Sequence, residues 1–292
     1  MEKRSGLVRI RPDLNIEYTE WSSGYTGEPP IIFLHGTGGA MEMFVHYTFP
    51  ALEAAGVQRI IALNWPGYGN SGRLPRHTVR AYTHVLLDFI DALHIPQCHL
   101  VGISLGASVA LVFAAEYPRR VLTVTAHGAV YNGKQQFSGL IMRATAPFMV
   151  CAGRHFPESL AQKFAALSCV IGFLGSVLNP TDLKLLDEEG SYRTIAGKIT
   201  RRFSLRAYAE NVQDLKNLGL DADLARLTVS TLLTDGANTS WKAVRSTEKL
   251  LLLIPEEIRH AALIPQAGHL APYTNAREFV PILLDFIRRS RR

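Results

Sequence analysis

The chain has 292 residues, 47% of them hydrophobic and 19% charged, and a formal net charge of +6. That balance supplies a substantial core and excludes an intrinsically disordered chain. Arg288, Arg289, Arg291 and Arg292 carry four of the six net charges, so the excess is largely a solvated end and not a basic face that would bind nucleic acid.

From the N-terminus, Leu7 to Ile10 and Leu14 to Tyr18 read as two short antiparallel strands joined by a turn at Arg11-Pro12-Asp13. Pro30–Leu34 and Arg59–Leu63 are continuous apolar runs of the kind buried on both faces of a parallel sheet. Between Arg80 and His94, residues Val85, Leu86, Phe89, Ile90 and Leu93 share one helical face. Cys98–Val101 reads as a strand, Ala107–Ala115 as a buried helix, and Val121–Thr125 as the next strand. The rhythm breaks near Tyr131, and up to about Leu227 the segment is apolar and reads as helical without a convincing strand. Strand Val229–Leu233, a helix over Trp241–Leu253, strand Ala261–Ile264 and a closing helix carrying Phe279, Leu283 and Phe286 complete the chain. This alternation predicts an α/β fold with a mostly parallel sheet of about eight strands flanked by helices. The predicted core spans 1–130 and 228–292, interrupted once by a helical cap over 131–227.

Cys98, Cys151 and Cys169 are too scattered for a disulfide framework or a zinc site, and read as buried small hydrophobes in a reducing compartment. Met1–Gly6 lacks the apolar stretch of a secretory signal. The longest uncharged segment, Phe164 to Thr181, is broken by Gly172, Gly175 and Pro180 and falls short of the roughly 20 apolar residues that span a bilayer. A cytoplasmic protein without membrane contact is expected, and its oligomeric state is left open.

Gly102-Ile103-Ser104-Leu105-Gly106 sits between the strand Cys98–Val101 and the helix that follows. A G-x-S-x-G pentapeptide is weak evidence alone, but a strand–turn–helix setting lifts its serine out of the sheet. A nucleophilic serine needs a base, a group that orients the base, and donors for the developing oxyanion. His269 follows the last predicted strand on a loop that would reach back to Ser104, and the order serine, acid, histidine suits this architecture. The glycine-rich turn His35-Gly36-Thr37-Gly38-Gly39 ends a buried strand; Gly36 and Gly38 would let the backbone approach a substrate. The N–H groups of Thr37 and Leu105 are expected to form the oxyanion hole. No Gly-Lys-Ser/Thr follows, so this is not a phosphate loop.

Together with Pro66-Gly67-Tyr68-Gly69-Asn70-Ser71, these motifs resemble the α/β-hydrolase superfamily, in the family's order and across almost the whole chain. The resemblance implies Ser104 as nucleophile and His269 as base, a capped core, and no metal or organic cofactor. It also shows two departures. Asn64 stands where the family usually has Asp, a position read as structural. The family's acid lies three residues after the glycine that ends the penultimate strand; counted from Gly236, that position is Thr239. Asp235, the acidic residue of the Thr234–Thr239 turn, is therefore the candidate acid, set against a purely local role capping backbone N–H groups. The expected activity is hydrolysis of an ester or related acyl bond of a fairly apolar small molecule through an acyl-enzyme. The alternatives are carbon–carbon bond hydrolysis or acyl transfer on the same fold, or a ligand-binding or regulatory protein with little turnover.

Overall fold

The computed structural model describes residues 1–24, 27–132, 151, 204–239 and 241–290. Eight strands form one sheet: β1 (Glu2–Arg11), β2 (Leu14–Ser22), β3 (Ile31–Leu34), β4 (Arg59–Leu63), β5 (Cys98–Ile103), β6 (Val121–His127), β7 (Thr231–Gly236) and β8 (Arg259–Ile264). Their order is β1-β2-β4-β3-β5-β6-β7-β8. Strand β2 runs antiparallel to both neighbours, and every pairing from β4 to β8 is parallel.

Between strands lie the helices α1 (Met41–Met43), α2 (Phe49–Ala54), α3 (Val79–Ala92), α4 (Leu105–Glu116), α5 (Leu205–Asn217), α6 (Asp221–Leu224) and α7 (Trp241–Leu253), and after β8 come α8 (Ala271–Thr274) and α9 (Ala276–Ser290). Successive side chains of a strand point to opposite faces, and both faces here are covered. Ile32, Leu34, Ile61 and Leu63 pack with α3, α4 and α5 on one side. Ile31, Phe33, Ile60 and Ala62 pack with α2 and α9 on the other. This explains the uninterrupted apolar runs of the central strands. Helix α4 is buried from Leu105 to Ala114, which accounts for its small and aliphatic composition.

The hairpin is longer than its sequence pattern predicts. Strand β1 is the exposed edge of the sheet, so main-chain pairing to β2 holds it without an apolar alternation that could be read. Strand β7 starts and ends later than predicted, with consequences for Asp235. Most of the predicted cap, residues 133–150 and 152–203, lies outside the described residues. Its two described flanks meet: Asn132 bridges Gly219, and Leu220 N–H donates to the Tyr131 carbonyl at 3.0 Å. Helix α5 then returns along the core, where Asn211 accepts the Tyr68 hydroxyl at 2.8 Å and donates to the His77 carbonyl at 3.0 Å.

Candidate active site

The carboxyl ends of β3, β5, β6, β7 and β8 bring five loops to one edge of the sheet, where open α/β sheets place their ligand sites. Ser104 links β5 to α4 with φ +52° and ψ −113°. A non-glycine residue held there stores about 1–3 kcal/mol of strain, which the surroundings must hold in place. They do so tightly. A Cβ on Gly102 would overlap the Gly106 carbonyl, and one on Gly106 would overlap the Leu34 carbonyl. The two glycines of the pentapeptide therefore let strand, helix and β3 close around the turn.

The turn after β3 lies against the serine. A Cβ on Gly36 would sit 3.2 Å from Ser104 Cβ and 3.8 Å from its Oγ. The Gly36 carbonyl accepts the Gly39 N–H at 3.0 Å and the His35 Nδ1–H at 2.8 Å. His35 Nε2 in turn accepts the Trp65 N–H at 3.1 Å, which fixes the tautomer. Full burial pushes His35 down to about 4, so the ring is neutral at pH 7. A peptide's C=O and N–H point in opposite directions. Pinning the Gly36 carbonyl therefore also aims the Thr37 N–H. Neither that N–H nor the one on Leu105, at the open start of α4, donates to another described residue. Gly38 closes the turn at φ +72°.

The loop after β8 is stitched to the loop after β7: Asn238 N–H donates to the Ala267 carbonyl at 2.8 Å, and Ala237 N–H to the Ile264 carbonyl at 2.9 Å. It delivers His269 to the end of β6. A Cβ on Gly128 would lie 2.5 Å from Cε1 and 2.6 Å from Nδ1 of His269, so the imidazole packs directly on the Gly128 backbone. Beside it is a histidine that motif reasoning passed over. His127, fully buried, places Nε2 3.1 Å from the His269 carbonyl and Nδ1 3.0 Å from the Thr234 hydroxyl. Burial lowers its pKa to about 4, against the attraction of Asp235. The neutral ring thus donates from Nε2 to His269 and accepts from Thr234 at Nδ1. Its only signal in the sequence is a histidine at a strand end followed by glycine.

The expected turn at Asp235 is corrected by the structure. Asp235 is an interior residue of β7, paired with Leu263 of β8 and 1% exposed. Its Oδ1 accepts the Gly236 N–H at 3.0 Å and its Oδ2 the Thr247 hydroxyl of α7 at 3.1 Å. These bonds fit the local role weighed for it, and no bond joins it to His269 among the described residues. Thr239 stands at the position of the family's acid, and its buried hydroxyl oxygen has no partner among the described residues. The second departure has a physical reason. Asn64 Oδ1 accepts the Met41 N–H at 2.9 Å, while Nδ2 faces the carboxylates of Glu17 at 2.9 Å and Glu42 at 3.4 Å. An aspartate there would meet two like charges. The turn that follows is held by Glu17, which accepts the Asn70 N–H at 2.7 Å. Asn64 itself receives the Ser71 hydroxyl on its main-chain carbonyl at 2.7 Å.

A family model described as alpha/beta hydrolase fold matches residues 29–254. The chain is 26% identical over 281 residues, 94% of its length and 92% of the relative's, to a 2-hydroxy-6-oxo-6-phenylhexa-2,4-dienoate hydrolase of Comamonas testosteroni. It is 23% identical over 295 residues to a 2-hydroxy-6-oxononadienedioate/2-hydroxy-6-oxononatrienedioate hydrolase of Pseudomonas putida, covering 97% of this chain and 96% of that one. Among solved structures, the enol-lactonase of Burkholderia xenovorans LB400 superposes with a TM-score of 0.76 at 16% identity, over 98% of this chain and all of that one.

Proposed function

The chain belongs to the α/β-hydrolase superfamily and is a hydrolase, and on that premise we propose that Ser104 is its nucleophile and His269 its general base. The substrate we propose is an ester or related acyl compound of fairly apolar character. Ser104 attacks the acyl carbonyl as His269 takes its proton, and the N–H groups of Thr37 and Leu105 receive the oxyanion. His269 then protonates the leaving alcohol, and a water deprotonated by the same ring releases the acid. The observation that carries this reading is the Ser104 backbone, held at φ +52° on the strand–helix turn with Gly36 against its side chain. Asp235 has no acid role in this mechanism, because its oxygens serve Gly236 and Thr247.

The named relatives support a second reading, hydrolysis of a carbon–carbon bond in a 2-hydroxy-6-oxo dienoic acid. It differs at the leaving group, which is a carbon that must accept a proton. The deciding experiment measures turnover of p-nitrophenyl esters, from acetate to dodecanoate, and of a 2-hydroxy-6-oxo dienoate, by wild type and Ser104→Ala. Turnover abolished by Ser104→Ala supports the serine mechanism, and the preferred substrate assigns the bond. A wild type that turns over neither and resists a fluorophosphonate probe overturns both readings.

A further inference from the structure

One residue touches both halves of the proposed dyad. The Ser104 N–H donates to the main-chain carbonyl of His127 at 2.9 Å, and the His127 imidazole donates to the main-chain carbonyl of His269 at 3.1 Å. The next residue, Gly128, forms the surface on which the His269 ring lies, and its own N–H is tied to the Thr234 carbonyl at 3.0 Å. The Thr234 hydroxyl sits 3.0 Å from His127 Nδ1 and holds the ring in the tautomer that donates from Nε2. The end of β6 thus connects the serine's backbone to the histidine's backbone through two hydrogen bonds.

The distribution of partners gives this connection a purpose. An orienting acid normally fixes the base's ring in a serine hydrolase. Here the acid position carries Thr239, with a buried hydroxyl that has no partner among the described residues, and Asp235 is engaged by Gly236 and Thr247. We propose that His127 is the positioning residue of this hydrolase: held by Thr234, it fixes the His269 loop to the Ser104 turn and sets the separation of nucleophile and base. The proposal rests on the reading of Ser104 and His269 as that pair. His127 touches no reacting atom. It acts through the main chain of the base, and the groups facing it are Thr234 and Asp235 of β7, the His269 loop and the Phe279 ring of α9.

A displacement of about 1 Å between reacting groups costs on the order of a hundredfold in rate, so loss of the His127 donor is readable. The test measures fluorophosphonate labelling of Ser104, together with kcat and KM for p-nitrophenyl butyrate, in wild type, His127→Met, His127→Gln and Thr234→Val, each with a melting curve. His127→Met keeps the volume and removes the donor; labelling and kcat are expected to fall at least about tenfold with KM nearly unchanged. His127→Gln restores an N–H near the Nε2 position and is expected to return both to within about threefold of wild type. A folded His127→Met that labels at the wild-type rate overturns the proposal, as does a folded His127→Gln no better than His127→Met, which would make the residue mere packing. If His127→Met does not fold, Thr234→Val decides. It frees the tautomer that turns Nε2 into an acceptor facing the His269 carbonyl, so kcat is expected to fall about threefold or more at constant KM. A wild-type rate there overturns the proposal. Wild type that is not labelled at Ser104 removes the dyad itself, a failure visible before any variant is compared.

Discussion

Gly128 and His269 are in direct contact: the imidazole lies on the Gly128 backbone with no room between them for a methyl group. Gly128 also has φ +55°, a conformation that side chains with a Cβ adopt at a cost. Gly128→Ala is therefore expected to push the His269 ring from its place. Turnover should fall by about a hundredfold or more, while strain removes only about 1–3 kcal/mol of stability. Steady-state kinetics with a denaturant melt checks both. An active Gly128→Ala variant would show that the base works from another position.

Asp235→Asn separates two roles for one carboxylate. As an acid that orients His269 its loss would cost about 10⁴ in turnover. As a group that accepts from Gly236 N–H and the Thr247 hydroxyl, its loss turns two charge-assisted bonds into neutral ones, with Oδ1 still accepting the Gly236 N–H and Nδ2–H donating to the Thr247 oxygen. The expected outcome is a stability loss of about 1–3 kcal/mol with kcat within about tenfold of wild type. Urea unfolding and ester turnover on the same preparation give the answer.

The parts of this site that were legible in the sequence are those made by the chain next to itself. Gly102 and Gly106 are needed by the very turn that carries Ser104, and Gly36 follows directly on β3, so spacing alone points to them. The Asp235 environment was not legible, because it depends on where β7 ends. Thr234, Asp235 and Gly236 look like a turn from composition, yet parallel pairing with Ala262, Leu263 and Ile264 keeps them in the sheet. His127 was hidden for a similar reason. Its partners Thr234 and His269 lie 107 and 142 residues away, and no local pattern announces contacts of that range. The fold, by contrast, follows from repeated local choices, the apolar strands and the helices between them, and survives errors of a few residues in each.

His35 and His127 are both buried and neutral, and both are pushed down to about 4. Their pKa values in the unfolded chain are near 6.5. Between those values the unfolded state binds protons that the native state does not, so stability rises with pH and is lost as pH falls from about 6.5 towards 4. The two residues together are expected to remove on the order of 3 kcal/mol between pH 7 and pH 5. Urea unfolding across that range checks the slope. His127→Gln should cut the slope by about half, since glutamine does not titrate and His35 remains.

Thr239→Asp asks whether the position of the family's acid still works. The Thr239 hydroxyl is buried without a described partner, and its N–H is tied to the Gly236 carbonyl at 3.0 Å, so the backbone that would present a carboxylate is already held. A carboxylate within reach of His269 would orient the ring and stabilise the imidazolium that forms as Ser104 loses its proton. The expected outcome is a gain in kcat of about tenfold or more for p-nitrophenyl esters at unchanged KM. Burying a charge without its partner costs several kcal/mol, so a Thr239→Asp variant that melts far earlier and gains no activity would mean that the residue faces away from His269. Wild-type kcat compared with those of Thr239→Asp, His127→Met and the double variant Thr239→Asp/His127→Met then measures the coupling between the two positions. If His127 does the work that the acid does elsewhere, the aspartate should recover part of what His127→Met loses, and the two effects should not add.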